Sequence, residues 1–169
     1  MKDLSTYLND HLGGSVGALE ILEDMIETQK GRPLQGFLKS LHENIESDQS
    51  ELKRMMKELG IEESTLKKAG AWVAEKVSRA KLRVGDTGEP NLALLQSLES
   101  LSLGIAGKRS LWRSLTAVKQ SAPRLDGFDF VRLEQRATDQ FKQVEGHVQQ
   151  IAREIFSAEL NQTAARKAS

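Results

Sequence analysis

The sequence predicts an all-α fold: an antiparallel bundle of four long helices, with one shorter helix inserted between the second and third. Three observations carry this. Apolar residues recur at three- and four-residue steps through most of the chain, and no stretch shows the period-two alternation of a half-buried strand. The three prolines, at 33, 90 and 123, fall between the periodic segments and not within them. The clearest stripe lies on residues 34–59, where Leu34, Phe37, Leu38, Leu41, Ile45, Leu52, Met55, Met56 and Leu59 share one helical side. A helix carrying such a stripe is marginal alone in water and needs helical partners.

The first helix is expected over residues 4–28, with Leu8, Leu12, Val16, Leu19, Leu22, Met25 and Ile26 inward. Gly13, Gly14 and Gly17 interrupt it. Each glycine costs about 1 kcal/mol against alanine inside a helix, so the group is read as a close crossing where no Cβ fits. Residues 30–33 form a turn short enough to force an antiparallel neighbour, with Pro33 opening the next helix. Gly60 supplies a left-handed cap after Leu59. Ser64 then caps a basic amphipathic helix over 66–84, with Leu66, Ala69, Val73, Val77 and Ala80 on one face. A loop at 85–90 follows, and Asn91 caps a third long helix over 92–119 with Leu95, Leu98, Leu101, Ile105, Trp112 and Leu115 inward. The last turn covers 121–129. A final helix over 130–158 carries Phe130, Leu133, Ala137, Phe141, Val144, Val148, Ile151 and Ile155. The organisation is thus one helical domain, 1–160, with a frayed or disordered tail at 161–169.

A chain of 169 residues is large enough for one sizeable core. It has no cysteine, which excludes disulfides and thiolate metal sites and fits a cytoplasmic setting. Lys plus Arg equals Asp plus Glu at 24 each, so no overall field favours nucleic acid as a partner. No apolar run approaches the roughly 20 residues needed to span a bilayer, and no secretory signal core is evident. Integral membrane association is therefore not expected.

Four long helices invite a test for a di-iron centre, which needs a Glu from each of two helices and a Glu-x-x-His pair from each of the others. The sequence contains no Glu-x-x-His; its nearest substitutes are Glu46-x-x-Gln49 and Asp139-x-x-Lys142. Extrapolated stripes place Ser15, Asn44 or Asp48, Ser102, and Ala137 or Gln140 at mid-height. That layer is too poor in donors to hold two metal ions, and its lone carboxylate is expected to hydrogen-bond to Ser or Gln neighbours. No catalytic, cofactor-binding or metal residue is assigned. A metal-binding alternative would draw on Glu20, His42, Glu46, Asp48, Glu99 and His147. His11-Leu12-Gly13-Gly14-Ser15 resembles a histidine phosphotransfer motif, but with altered spacing and without the lysine that neutralises the phosphoryl group. Gly104 to Ser110 fails as a phosphate loop on spacing and lacks a preceding strand, so its glycines are read as close helix contacts and Lys108 and Arg109 as solvated.

The segment SLHENIESDQSELKRMMKELG, with KKAGAWVAEK after it, resembles the ferritin-like bacterial proteins of the YciE/YciF type. The resemblance implies a ferritin-like fold over about residues 4–158, a stress-associated role and a dimer. Such relatives are expected to carry metal-binding Glu and His where this chain offers Ser15, Asn44, Asp48 and Ser102. The expectation is a non-catalytic ferritin-like bundle without a cofactor, acting through surface or dimer contacts with itself or a protein partner. One alternative is a degenerate iron- or manganese-binding protein or oxidase. Another is membrane-surface binding through the basic helix 66–84, and Trp72, Lys76, Arg79 and Arg83 form the candidate partner patch.

Overall fold

A computed structural model describes residues 2–64 and 92–167. The expected basic helix at 66–84, the patch Trp72, Lys76, Arg79 and Arg83, and the loop at 85–90 lie outside the described residues. Those described form four helices: α1 (Lys2–Thr28), α2 (Leu34–Leu59), α3 (Leu92–Val118) and α4 (Phe130–Lys167). Two short 3-10 turns, Lys119–Ser121 and Pro123–Leu125, join α3 to α4, and no strand occurs among the described residues. None of these helices is long and apolar enough to cross a membrane.

Local chemistry sets the boundaries. Gly60 adopts φ +69°, its N–H meets Lys57 O at 3.0 Å, and Ile61 N–H meets Met56 O at 2.8 Å. This pairing closes the last turn of α2 as a Schellman cap, with Ile61 buried against the core. Between α1 and α2, Gly31 takes φ +74°. The Gln35 amide closes that turn, accepting from Gly31 N–H at 3.1 Å and donating to Ile26 O at 3.3 Å. Helix α4 continues to Lys167 instead of ending near residue 158. Residues 159–167 contain neither glycine nor proline, so nothing local stops the helix where its apolar stripe ends.

Side-chain pairs give the helix directions. Glu23 meets His42, Ser15 meets Gln49 and Asn9 meets the backbone at Glu62 and Ser64, so α1 and α2 are antiparallel. Ser102 meets Glu145, Lys108 meets Gln140 and Arg113 meets Glu134, so α3 and α4 are antiparallel. Phe37 packs on His147, Asp48 pairs with Arg136 and Arg54 lies over Phe128, giving α2 and the approach to α4 the same antiparallel sense. It follows that α2 and α3 run the same way, with the end of one and the start of the other at opposite ends of the fold.

The apolar stripes merge into one continuous core that includes Leu8, Leu38, Met55, Leu98, Trp112 and Phe130. At one end the connection between α3 and α4 adds Leu125 and Phe128 to it. The Phe130 ring stacks between Phe128 at 6.0 Å and Trp112 at 6.3 Å.

Removing a fully buried branched side chain leaves a void that close packing does not refill. Leu98→Ala, at a site with 0% exposure, is expected to lower unfolding free energy by about 2–5 kcal/mol. Gln96→Ala, on the same helix but exposed, should change it by less than about 0.5 kcal/mol. Urea midpoints of the two variants measure the contrast.

Candidate functional site

Asp48 interrupts the apolar stripe of α2. It stands three residues after Ile45 and four before Leu52, so helical geometry carries its carboxylate into the core, where it is 2% exposed. A carboxylate placed there is costly unless it is paired and hydrogen-bonded. Its partners come from two other helices. The Lys108 ammonium of α3 donates to Oδ2, the Arg136 guanidinium of α4 donates to Oδ1, and the Gln140 amide of α4 donates to Oδ2 at 3.2 Å. Arg136 and Gln140 lie one turn apart on one face of α4, so both reach the same point. Lys108 also donates to Gln140 Oε1 at 2.5 Å, and Arg136 reaches Ser47 Oγ at 3.4 Å.

The cluster holds one carboxylate against two cations and so carries a formal charge of +1. Burial pulls the Lys108 pKa down from its ordinary value; the Asp48 charge and hydrogen bond oppose that, and the Arg136 charge adds to it. One level away, the Ser102 hydroxyl donates to the Glu145 carboxylate. Ser15 Oγ donates to Leu12 O at 2.7 Å and accepts from the Gln49 amide at 2.9 Å.

Several expectations change here. Lys108 is not solvated: its side chain is 14% exposed and its charge faces inward. The reason lies in the register of α3, where Leu101, Ile105, Lys108, Trp112 and Leu115 follow one another at three- and four-residue steps. Of Asn44 and Asp48, only Asp48 turns inward; Asn44 is exposed and caps back onto Ser40 O at 2.7 Å. Ala137 and Gln140 are both buried. The partners of the carboxylate are chiefly Lys and Arg, with Gln140 the one partner of the expected kind.

The residues of the metal-binding alternative are dispersed. Glu20, Glu46 and Glu99 are exposed, His42 pairs with Glu23 at 3.5 Å, and His147 packs on the Phe37 ring at 4.2 Å. Asp48 is engaged by its two cations. Among the described residues no group of three or more His, Asp or Glu side chains could hold a metal ion. His11, the centre of the phosphotransfer-like motif, is half-buried and meets the Tyr7 ring edge-on at 4.7 Å.

A cavity of about 210 Å³ lies among α1, α2 and α3, bounded by Asp48 and Lys108 of the cluster. Gly14, Gly104 and Gly107 line it, and a Cβ built at any of them would meet nothing within 4 Å. Gly14, Gly104 and Gly107 therefore border open space and do not mark the tight contact expected of them, while Gly13 and Gly17 of the same α1 group are buried. Trp112 forms another part of the wall, and its buried Nε1–H has no acceptor among the described residues. A buried donor left without a partner costs about 1–3 kcal/mol.

Asp48→Asn removes the one anion that neutralises two inward cations and should cost about 3–5 kcal/mol of stability. The triple variant Asp48→Leu, Lys108→Met, Arg136→Met removes every charge together and should recover most of that loss; denaturant titration of both variants is the check. Burial lowers the His11 pKa, with Asp10 opposing, and burial also lowers that of His147. The unfolded chain then binds more protons near pH 6.5 than the folded chain does, so stability falls as pH drops from about 7 through that value. A His11→Gln, His147→Gln double variant should show a flatter dependence of Tm on pH between about 7 and 5.5.

No family model matches the chain, and neither does any curated protein or solved structure.

Proposed function

We propose that the chain is a non-catalytic ferritin-like four-helix bundle in which an ion cluster stands where a di-iron bundle carries its metal, and that it works by binding other proteins or a second copy of itself. The observation that carries this reading is the state of Asp48. Both oxygens of the inward carboxylate on α2 are taken by Lys108 and Arg136, so Asp48 itself is not free for general-base or ligand chemistry.

The directions of the helices support the ferritin-like part. With α1 up, α2 and α3 are down and α4 is up, the order that a single long crossover between the second and third long helices produces. An additional short helix within that crossover is part of the same reading. Action through the surface is supported by the large apolar side chains left exposed on α3 and α4: Leu92, Leu103, Val118, Val131, Phe156 and Leu160. Single exposed apolar residues are ordinary, but six on two adjacent helices supply apolar surface for self-association. Balanced charge argues against a nucleic-acid partner, and the absence of cysteine is compatible with a cytoplasmic setting.

Purified protein incubated with Fe(II) or Mn(II) and then desalted should retain no stoichiometric metal, and its Tm should not rise with either ion. Retention of about two ions per chain, lost in Asp48→Asn, would replace this reading with a metal-dependent one. Sedimentation equilibrium should show a dimer weakened by Leu103→Glu; a monomer at every concentration would remove the self-association part.

A further inference from the structure

The ion cluster uses both oxygens of Asp48 and two of the three ammonium protons of Lys108. It does not account for the cavity beside it. Trp112 is 1% exposed, lines that cavity and has an indole N–H with no acceptor among the described residues. Lys108 precedes Trp112 by four residues, so both side chains leave the same face of α3 one turn apart and border the same space. The rest of the wall is mostly apolar, from Ile45, Leu52, Ile105 and Leu111. Two hydrogen-bond donors thus belong to neighbouring residues of the wall, an ammonium with a third proton and an orphan indole N–H, next to a cluster with one positive charge in excess.

We propose that this cavity binds a small monocarboxylate with an apolar body, a single aromatic ring or a short acyl chain, whose carboxylate lies between the Lys108 ammonium and the Trp112 indole N–H. The size fits. An apolar cavity of about 150 Å³ admits benzene, and this one, at about 210 Å³, has room for one ring and a carboxylate. A water molecule could accept from both donors, but it occupies only about 30 Å³ and would leave the apolar walls unfilled. An anion also balances the charge: Asp48 contributes one negative charge against Lys108 and Arg136, and the incoming carboxylate supplies the second. Asp10 and His11 also border the cavity, Asp10 being exposed to solvent. The glycines give access. Gly14 on α1 and Gly107 on α3 leave open the volume that larger side chains would fill.

The site stands apart from the bundle reading, because metal retention and carboxylate binding succeed or fail separately. The chain has two tryptophans, Trp72 and Trp112. Two indole N–H signals are therefore available in a ¹⁵N-labelled sample of the full chain, and Trp112→Phe assigns them. Titration with benzoate or hexanoate should shift the Trp112 signal saturably, and benzyl alcohol or hexanol should bind at least tenfold more weakly. Gly107→Leu fills the space without a clash at Cβ; it should weaken the acid at least tenfold while the circular dichroism spectrum and urea midpoint are retained. Trp112→Phe should weaken it several-fold, but that ring is also core, so Gly107→Leu decides the matter. The proposal is overturned by the absence of a saturable shift with either acid, by equal affinity for the neutral analogues, or by undiminished binding in Gly107→Leu.

Discussion

One buried carboxylate constrains the whole arrangement. Asp48 cannot stay ionised in an apolar stripe without compensation, and its compensation arrives from α3 and α4 at the same height. Hydrophobic packing alone is tolerant of sliding, since Leu, Ile and Met side chains repack with modest loss. A charge knot is not tolerant. Moving α3 by one turn would withdraw Lys108 from Asp48, and moving α4 would withdraw both Arg136 and Gln140. The cluster therefore fixes the mutual register of three helices, while the leucines supply most of the driving force.

Helix α1 lies outside that knot. Its links to the rest are apolar contacts with a few peripheral hydrogen bonds, such as Gln49 to Ser15 and Asn9 to the chain after α2. Its Gly14 borders the same space as Gly104 and Gly107 of α3. No side chain fills that interval from these three positions, and the cavity lies there, beside the charged cluster and against the one helix that the knot does not hold.

Most of the architecture was legible because a period of 3.6 leaves a strong mark: α2 begins and ends where its stripe and cap place it. The site was only half legible. Asp48 was readable as an inward acid, because an acid between Ile45 and Leu52 breaks a stripe. Lys108 was missed for the converse reason. A lysine beside an arginine and after a glycine looks solvated, although its spacing from Ile105 and Trp112 puts it on the inner face. Arg136 sits on the flank of the α4 stripe, and only the position of Asp48 on a distant helix draws it in. The glycines were legible as unusual but ambiguous in meaning. Their sequence clustering is the same whether they allow contact or border a void, and the difference is tertiary.

The charge of the cluster connects its two consequences. At 4 Å and an effective dielectric near 20, two unit charges interact by about 4 kcal/mol. A divalent cation approaching Asp48 would meet two positive neighbours at comparable range, so its attraction to the carboxylate is outweighed. An anion approaching from the cavity meets the same arithmetic with the sign reversed, and meets it where Lys108 has a proton to give. One acid facing two bases therefore gives this part of the interior a positive polarity, and the apolar cavity next to it determines which anions can come near.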